Sequence, residues 1–313
     1  MTTSGAARGA EESAVLAEGV DEGGDGPLFR VFDGGFDAAE CAPPFGQHLH
    51  PQIRHWYGGD WVVPDTSERP YVYSNFVISH DGRISFGEPG RSTGYAVSMN
   101  SRHDRWIMAL TRSRADAVLI GDGILRGDPD FRCGADYVWS AAEGLDVEAF
   151  RRVDGRRSKY LCVIVSYEMN FPADCAILTD PEVDVLVATT DRGLSRMAAG
   201  DQAEWTGVQV RSFGAESVDL AQVLREAHRE LRARTVLCEG GALLYGSMLQ
   251  AGLIDDEFLT LSPLMIGPPR NPAHRRPTVI DGTDFTSDRH PVSRLVSVRA
   301  AGSHLFLHST YRV

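Results

Sequence analysis

Glu239 sits between an apolar run and two glycines in the stretch "TVLCEGGALLYGS" that begins at Thr235. A carboxylate at the edge of a core needs a partner. Paired glycines cost chain entropy unless something must approach the backbone closely. A ligand seated where a strand turns into a helix accounts for both, because Gly240 and Gly241 would open a helix whose free N–H groups and positive dipole end favour a phosphate. A second segment, "LIGDGIL", sets Gly121 and Gly123 directly after another apolar strand, where backbone N–H groups can face an incoming group. Neither segment is a Walker A loop or a G-x-G-x-x-G fingerprint. Each glycine pair taken alone is also readable as a tight turn, and Glu239 as a cap or dipole partner of the helix. Two such turns at equivalent strand ends favour the ligand.

Three arginines accompany these turns. Arg112 and Arg114 read by default as solvated cations at a helix end, and Arg132 as an exposed loop residue. Asp81, in "SHDG", reads as a turn residue. If the ligand carries a phosphate, Arg112 and Arg132 are its natural clamps, since a guanidinium matches phosphate in two-pronged fashion. Glu239→Gln and Arg112→Ala are then each expected to reduce turnover with little effect on folding. No zinc-deaminase signature, G-x-S-x-G elbow, H-E-x-x-H or EF-hand loop occurs, and the ten histidines are scattered, so no metal site is expected.

The elements that must position these residues follow from hydrophobic periodicity. "YVYSNFVIS" from Tyr71 reads as a strand ended by the turn His80-Asp81-Gly82. Ser101 to Arg114 reads as a helix with Trp106, Ile107 and Leu110 on one face. "DAVLIG" is a short strand running into the glycine-rich turn Gly121 to Pro129. "YLCVIVS" and "VDVLVATT" are apolar strands of the kind buried on both faces. Ser217 caps a helix carrying Leu220, Val223, Leu224, Ala227 and Leu231. "TVLC", a helix from Ala242 to Ala251 and the strand "DEFLTLSPLMI" follow, and "RLVSVRA" with "HLFLHSTYRV" closes an antiparallel pair. Strands alternating with helices, then strands alone, give an α/β fold whose sheet is parallel at its centre and antiparallel at a C-terminal edge. Residues 1–26 read as a disordered acidic tail. Residues 27–69, turn-rich with Phe29, Val31, Phe32, Phe36, Phe45, Trp56, Tyr57 and Trp61, read as an aromatic arm wrapped on a main domain of residues 70–313.

Composition sets the outer bounds. A chain of 313 residues with net charge −12 argues against nucleic-acid partners and against a basic membrane-surface protein. No apolar stretch approaches transmembrane length and no signal-peptide h-region is present. Five cysteines without a C-x-x-C pair fit mostly buried thiols in a reducing compartment, and a cytoplasmic location is expected.

From about Pro70 onward the chain resembles the reductase domain of bacterial riboflavin biosynthesis, a dihydrofolate-reductase-like family. The pieces that carry this are "SHDGRIS", "RSRADAVLIGDGILRGDPDF" and "CEGGALLYGSMLQAGLIDDEFLTLSPLMIG". The resemblance implies a mixed sheet with helices on both faces, NADPH as cofactor, a homodimer, and a small-molecule substrate. That substrate would be a phosphorylated ribosylamino-pyrimidine whose ribose is reduced at C1′. It implies cofactor contacts at Ile78, Gly121, Asp122, Gly123, Ile124, Asp128, Ser166, Gly241, Ala242, Leu243, Leu244, Tyr245, Gly246 and Ser247. It implies substrate contacts at Ser92, Arg112, Phe131, Arg132 and Glu239, with Ser98 competing for the role of Ser92. Three positions depart from the family pattern: Ile124 where Thr is usual, His80 where Leu is usual, and Asn170 where Arg is frequent. The last weakens the preference for a cofactor 2′-phosphate. A pterin or dihydrofolate reductase-like enzyme and a non-catalytic dinucleotide-binding protein are the alternatives on the same sheet.

Overall fold

The computed structural model describes residues 26–33, 46–88, 94–199, 205, 207–271 and 275–312. The expected acidic tail up to residue 25, Phe36, Cys41, Phe45 and Ser92 lie outside the described residues. The strands are β1 (Phe29–Asp33), β2 (Gly46–Gln47), β3 (Val63–Pro64), β4 (Tyr71–Ile78), β5 (Ala117–Gly121) and β6 (Tyr160–Val165). They continue with β7 (Val183–Thr189), β8 (Val208–Ser212), β9 (Thr235–Gly240), β10 (Asp256–Leu261), β11 (Arg294–Ala301) and β12 (His304–Thr310). Among the described residues one ten-stranded sheet runs β1-β11-β12-β10-β4-β9-β5-β6-β7-β8, and β2 pairs with β3 apart from it. From β10 to β8 every pairing is parallel. From β1 to β10 every pairing is antiparallel. The parallel centre and antiparallel C-terminal edge are therefore as the element pattern implies.

Period-two alternation divides the strands between two cores. Tyr71, Tyr73, Val118, Ile120, Cys162, Ile164 and Leu237 face the helix Arg102–Ser113 and pack with Trp106, Ile107 and Leu110. Val72, Phe76, Ala117, Leu119, Leu161, Val163 and Val236 face the opposite layer, where the helices Leu220–Arg229 and Ala242–Gln250 contribute Leu224, Tyr245 and Met248. Two local expectations are corrected. The glycine-rich segment after β5 is not a turn but a helix, Asp122–Gly127, because Gly121 is extended and the backbone beyond it closes Asp128 N–H onto the Ile124 carbonyl. The helix Leu220–Arg229 is capped by Asp219, whose carboxylate accepts from Gln222 N–H at 2.9 Å, and not by Ser217.

The aromatic arm enters the first core. β1 extends the sheet edge beside β11, and Ile53 and Tyr57 of the helix Pro51–Tyr57 are buried. Trp61 packs edge-on against Tyr73 and Phe258 with ring centres 4.9 and 4.6 Å away, under the Arg114 guanidinium at 4.8 Å. Arg114 is thus no solvated helix-end cation: it is buried, pairs with Asp154 at 3.1 Å and donates to the Trp61 carbonyl at 2.6 Å. Trp61→Ala is expected to cost about 3–5 kcal/mol in urea unfolding, the range for emptying an aromatic core site. A loss under about 1 kcal/mol would show that the arm is an appendage and not part of the core.

Candidate active site

A cleft of about 830 Å³ opens at the carboxyl ends of β4, β9, β5 and β6. That is where an open α/β sheet binds ligands. Its position follows from the strand order, which sets the two glycine turns side by side at the ends of β5 and β9. Gly241 is the cap of the helix Ala242–Gln250 at φ 123°, with no side-chain bond capping that end. A Cβ there would meet open space, so the backbone angle and not crowding demands glycine. Gly121 plays the corresponding part for Asp122–Gly127, also without a side-chain cap. Two sets of first-turn N–H groups therefore remain without intrahelical partners at one rim of the cleft.

Glu239 projects from a break in the β9 ladder. Leu119 of β5 lies opposite Cys238 and Ile120 opposite Gly240, so Glu239 is an extra residue bulged out between them. Its side chain reaches Arg112 across 2.7 Å on both prongs, Nε to Oε1 and Nη2 to Oε2. Both side chains are buried, at 4% and 9% exposure. Arg112 Nη1 also donates to the carbonyls of Arg132 at 3.0 Å and Gly134 at 3.3 Å, and the guanidinium lies 5.4 Å from the Phe131 ring. Burial opposes the charge on Arg112, but the Glu239 carboxylate outweighs it and holds the guanidinium pKa above its ordinary value. With most of its N–H groups committed, Arg112 has no two-pronged grip left for a phosphate. It is also not the solvated helix-end cation of the default reading.

Gly121, Asp122, Gly123, Ile124, Asp128, Phe131, Arg112, Glu239, Gly241, Ala242, Leu243, Leu244 and Ser247 all line the cleft. Ser166 stands behind Asp122, donating to its carboxylate at 2.7 Å. Ile78 and Gly246 are not among the lining residues. Arg132 points away, to Asp180 at 2.6 Å, with its guanidinium half-exposed. Tyr245 belongs to the second core, where it packs on Phe76 and donates to Glu257 at 2.5 Å, because helical periodicity turns it from the cleft side. Asp81 lies in the expected turn, closed by Gly82 N–H onto the Ser79 carbonyl at 2.8 Å. It ties that turn to a distant loop by accepting from Ile266 and Gly267 N–H at 2.9 and 2.8 Å, the Ile266 bond leading in drawing its pKa down to about 2. Among the described residues no cluster of metal-ligating side chains occurs.

Asp104 is among several cleft residues that the sequence reading did not single out. Asp104, Met108 and Arg112 form an i, i+4, i+8 stripe along the helix Arg102–Ser113, and all three line the cleft. Ser101-x-x-Asp104 has the spacing of a capping box, which hides Asp104 as a cap residue. The box is not closed, because Ser101 N–H goes to the Ser98 carbonyl at 3.0 Å. Asp104 is instead buried, and desolvation pushes its carboxyl up to about 6, with the Thr260 and Ser98 hydroxyls beside it offsetting part of the rise.

The description of the RibD C-terminal domain fits this chain over residues 70–307. The chain belongs to that family. This RibD C-terminal domain is 29% identical over 220 residues to the 2,5-diamino-6-ribosylamino-4(3H)-pyrimidinone 5′-phosphate reductase of Archaeoglobus fulgidus, covering 69% of this chain and 89% of that protein. It is 23% identical to the enzyme of the same name from Aquifex aeolicus, covering 70% and 85%. Among solved structures it superposes on a pyrimidine reductase-like protein of Corynebacterium diphtheriae with a TM-score of 0.57 at 18% identity, covering 77% and 91%, a likeness of fold. Family membership supports a reductase function, on a mixed sheet with a parallel centre, an antiparallel edge and flanking helices. No helix among the described residues is long and apolar enough to cross a membrane.

Two consequences are measurable. Glu239→Ala strands a buried guanidinium, so this domain is expected to lose roughly 3–5 kcal/mol in urea unfolding. That reverses the expectation of little effect on folding, and a loss under about 1 kcal/mol would show that solvent screens the pair. Asp104 has an ordinary carboxyl pKa of 3.8 and about 6 when folded, so its contribution to stability is full below about pH 4 and lost as pH rises through 6. Asp104→Asn is therefore expected to stabilise the protein at pH 7.5, by up to roughly 3 kcal/mol, and to leave it unchanged near pH 4. A destabilisation at both pH values would show the carboxylate to be held by a favourable partner.

Proposed function

We propose that this protein is an NADPH-dependent reductase of a phosphorylated ribosylamino-pyrimidine, of the riboflavin-biosynthesis type. The observation that carries the reading is the uncapped helix beginning at Gly241, opening on the cleft next to the buried Arg112–Glu239 pair. The residues present fit a dinucleotide: the cleft has room for one, and the first turns after Gly121 and Gly241 offer N–H groups to its phosphates. Asn170 and Arg126 line the cleft on the β6 side, Arg126 donating to the Asn170 carbonyl at 2.6 Å. A dihydronicotinamide supplies a hydride that, with a proton, reduces the C1′=N bond of the ring-opened ribosylamine to a ribityl C–N single bond.

The chain's own residues bind and orient. Glu239, held by Arg112 through two parallel hydrogen bonds, retains oxygen lone pairs that accept hydrogen bonds from the substrate. Phe76, Val77, Met108 and Phe131 line the cleft with apolar surface that keeps water from the reacting carbon. Gly241→Val places a side chain where φ is 123° and is expected to raise KM for NADPH at least about tenfold, with a smaller effect on the substrate's KM. The direct test is NADPH oxidation, followed by absorbance, with 2,5-diamino-6-ribosylamino-4(3H)-pyrimidinone 5′-phosphate and separately with 5-amino-6-(5-phosphoribosylamino)uracil. Turnover of either supports the assignment. NADPH bound but never oxidised with both compounds would overturn it in favour of a non-catalytic dinucleotide-binding protein.

A further inference from the structure

A phosphate on a bound ligand needs a cation that is accessible and not already committed. Three arginines line the cleft among the described residues: Arg112, Arg126 and Arg275. Arg112 is buried and committed to Glu239 and two carbonyls. Arg126 is held by Asp122 at 2.9 Å and donates to the Asn170 carbonyl at 2.6 Å. Arg275 differs from both. Its side chain is 69% exposed, and among the described residues its guanidinium pairs through Nη2 with Asp281, leaving Nε and Nη1 for a ligand. The backbone beneath it is nevertheless fixed. Gly87, at φ 65°, packs its α-carbon against the Arg275 carbonyl, where a Cβ would collide. Arg276 donates to the Phe86 carbonyl at 3.0 Å and the Ile266 carbonyl at 2.7 Å, and its own carbonyl accepts from Arg83 at 2.8 Å. Ile84 N–H closes on the Pro277 carbonyl at 3.0 Å. At the other end, Asp281 N–H donates to the Ala242 carbonyl at 3.2 Å, in the first turn of the helix after β9. Residues 275–282 thus run along the rim from the segment after β4 to that helix, and Arg275, Pro277, Asp281 and Gly282 line the cleft.

This rim belongs to the β4–β9 side of the cleft, as Glu239 does, whereas Arg126 and Asn170 belong to the β5–β6 side. A dinucleotide seated on the first turns after Gly121 and Gly241 meets backbone N–H groups with its diphosphate. The monophosphate of a ribosylamino-pyrimidine then needs a separate charge. Arg112 and Arg132, each turned to a carboxylate of the chain, do not supply it. We propose that Arg275 is the phosphate-binding residue of the cleft and takes the 5′-phosphate of the substrate. This rests on the reductase reading of the same site and deepens it, moving the phosphate to a residue outside the three motifs that carry the family resemblance. Asp281 holds the guanidinium at the rim, and a phosphate dianion competes with that single carboxylate for it.

A phosphate in the cleft has two sources, the substrate and the cofactor, and the test separates them. The wild-type protein, Arg275→Ala and Arg275→Lys are compared in NADPH oxidation with 2,5-diamino-6-ribosylamino-4(3H)-pyrimidinone 5′-phosphate and with its dephosphorylated form. A residue this exposed can be replaced without unfolding the chain, which the urea midpoint checks. Arg275→Ala is expected to raise KM for the phosphorylated substrate at least about tenfold, the loss of a charge-assisted pair, with kcat nearly unchanged. KM for the dephosphorylated substrate and for NADPH is expected to stay within about twofold, and Arg275→Lys to keep part of the affinity. A rise confined to KM for NADPH would overturn the substrate assignment and give the phosphate to the cofactor. Equal losses on the phosphorylated and dephosphorylated substrates, or no change in any KM, would overturn the proposal outright. If neither compound is reduced, the reductase reading fails on its own, and calorimetry with ribose 5-phosphate against ribose, NADPH present, decides this inference. Binding of ribose 5-phosphate and not of ribose, lost in Arg275→Ala, sustains it. Equal or absent binding of the two sugars, or a ribose 5-phosphate affinity unchanged in Arg275→Ala, overturns it.

Discussion

Everything at this site hangs on a buried ion pair that cannot be left half-made. Removing two charges from water costs several kcal/mol per ion, repaid only by close geometry and further hydrogen bonds. Arg112 and Glu239 meet that demand with two parallel bonds, and two carbonyls from the segment after Phe131 take up further donors. The pair therefore ties three pieces of chain: the helix Arg102–Ser113, the end of β9 and the loop after Asp128. The cleft wall is rigid where these meet, and the carboxylate that faces the ligand is held in one orientation before any ligand arrives.

The large features of the fold were legible because burial writes itself into periodicity. β4 to β7, β9, β11 and β12 are runs whose apolar alternation or apolar continuity survives any detail of packing, and the parallel-then-antiparallel order follows from where helices interrupt them. Less was legible where a charged side chain has two physical futures. Arg112 and Arg114 look alike at a helix end, and only the tertiary structure shows both turned inward to different carboxylates. Asp104 was concealed for a similar reason, since Ser-x-x-Asp is a helix-start pattern whichever way the aspartate turns. Asp122–Gly127 was read as a turn because its glycines weaken a helix signal, although the segment spans little more than a turn of helix. β8 is short and polar enough to leave no clear signal of its own.

The two ends of the cleft obey opposite rules of satisfaction. At the mouth, backbone N–H groups wait on helix termini, where water can serve them until a phosphate does. At the inner end, the Asp104 carboxyl is shut away from water with only the Thr260 and Ser98 hydroxyls beside it. Burial raises the Asp104 carboxyl to about 6, so ionising it at neutral pH comes at a cost to folding. Such local conflicts between stability and sequence mark where a fold has been shaped for something other than itself.

The bulge at Glu239 has a further meaning for how such a site can arise and vanish. A parallel ladder of β5 and β9 needs no residue there: Cys238 and Gly240 already meet consecutive partners on the neighbouring strand. Loss of the single codon for Glu239 would leave the ladder in register and both glycines in place, while removing the carboxylate and stranding Arg112. The scaffold and its chemistry are thus coupled through one inserted residue and one arginine. A lineage that lost both together could keep the sheet and the dinucleotide cradle and be free to acquire another reaction.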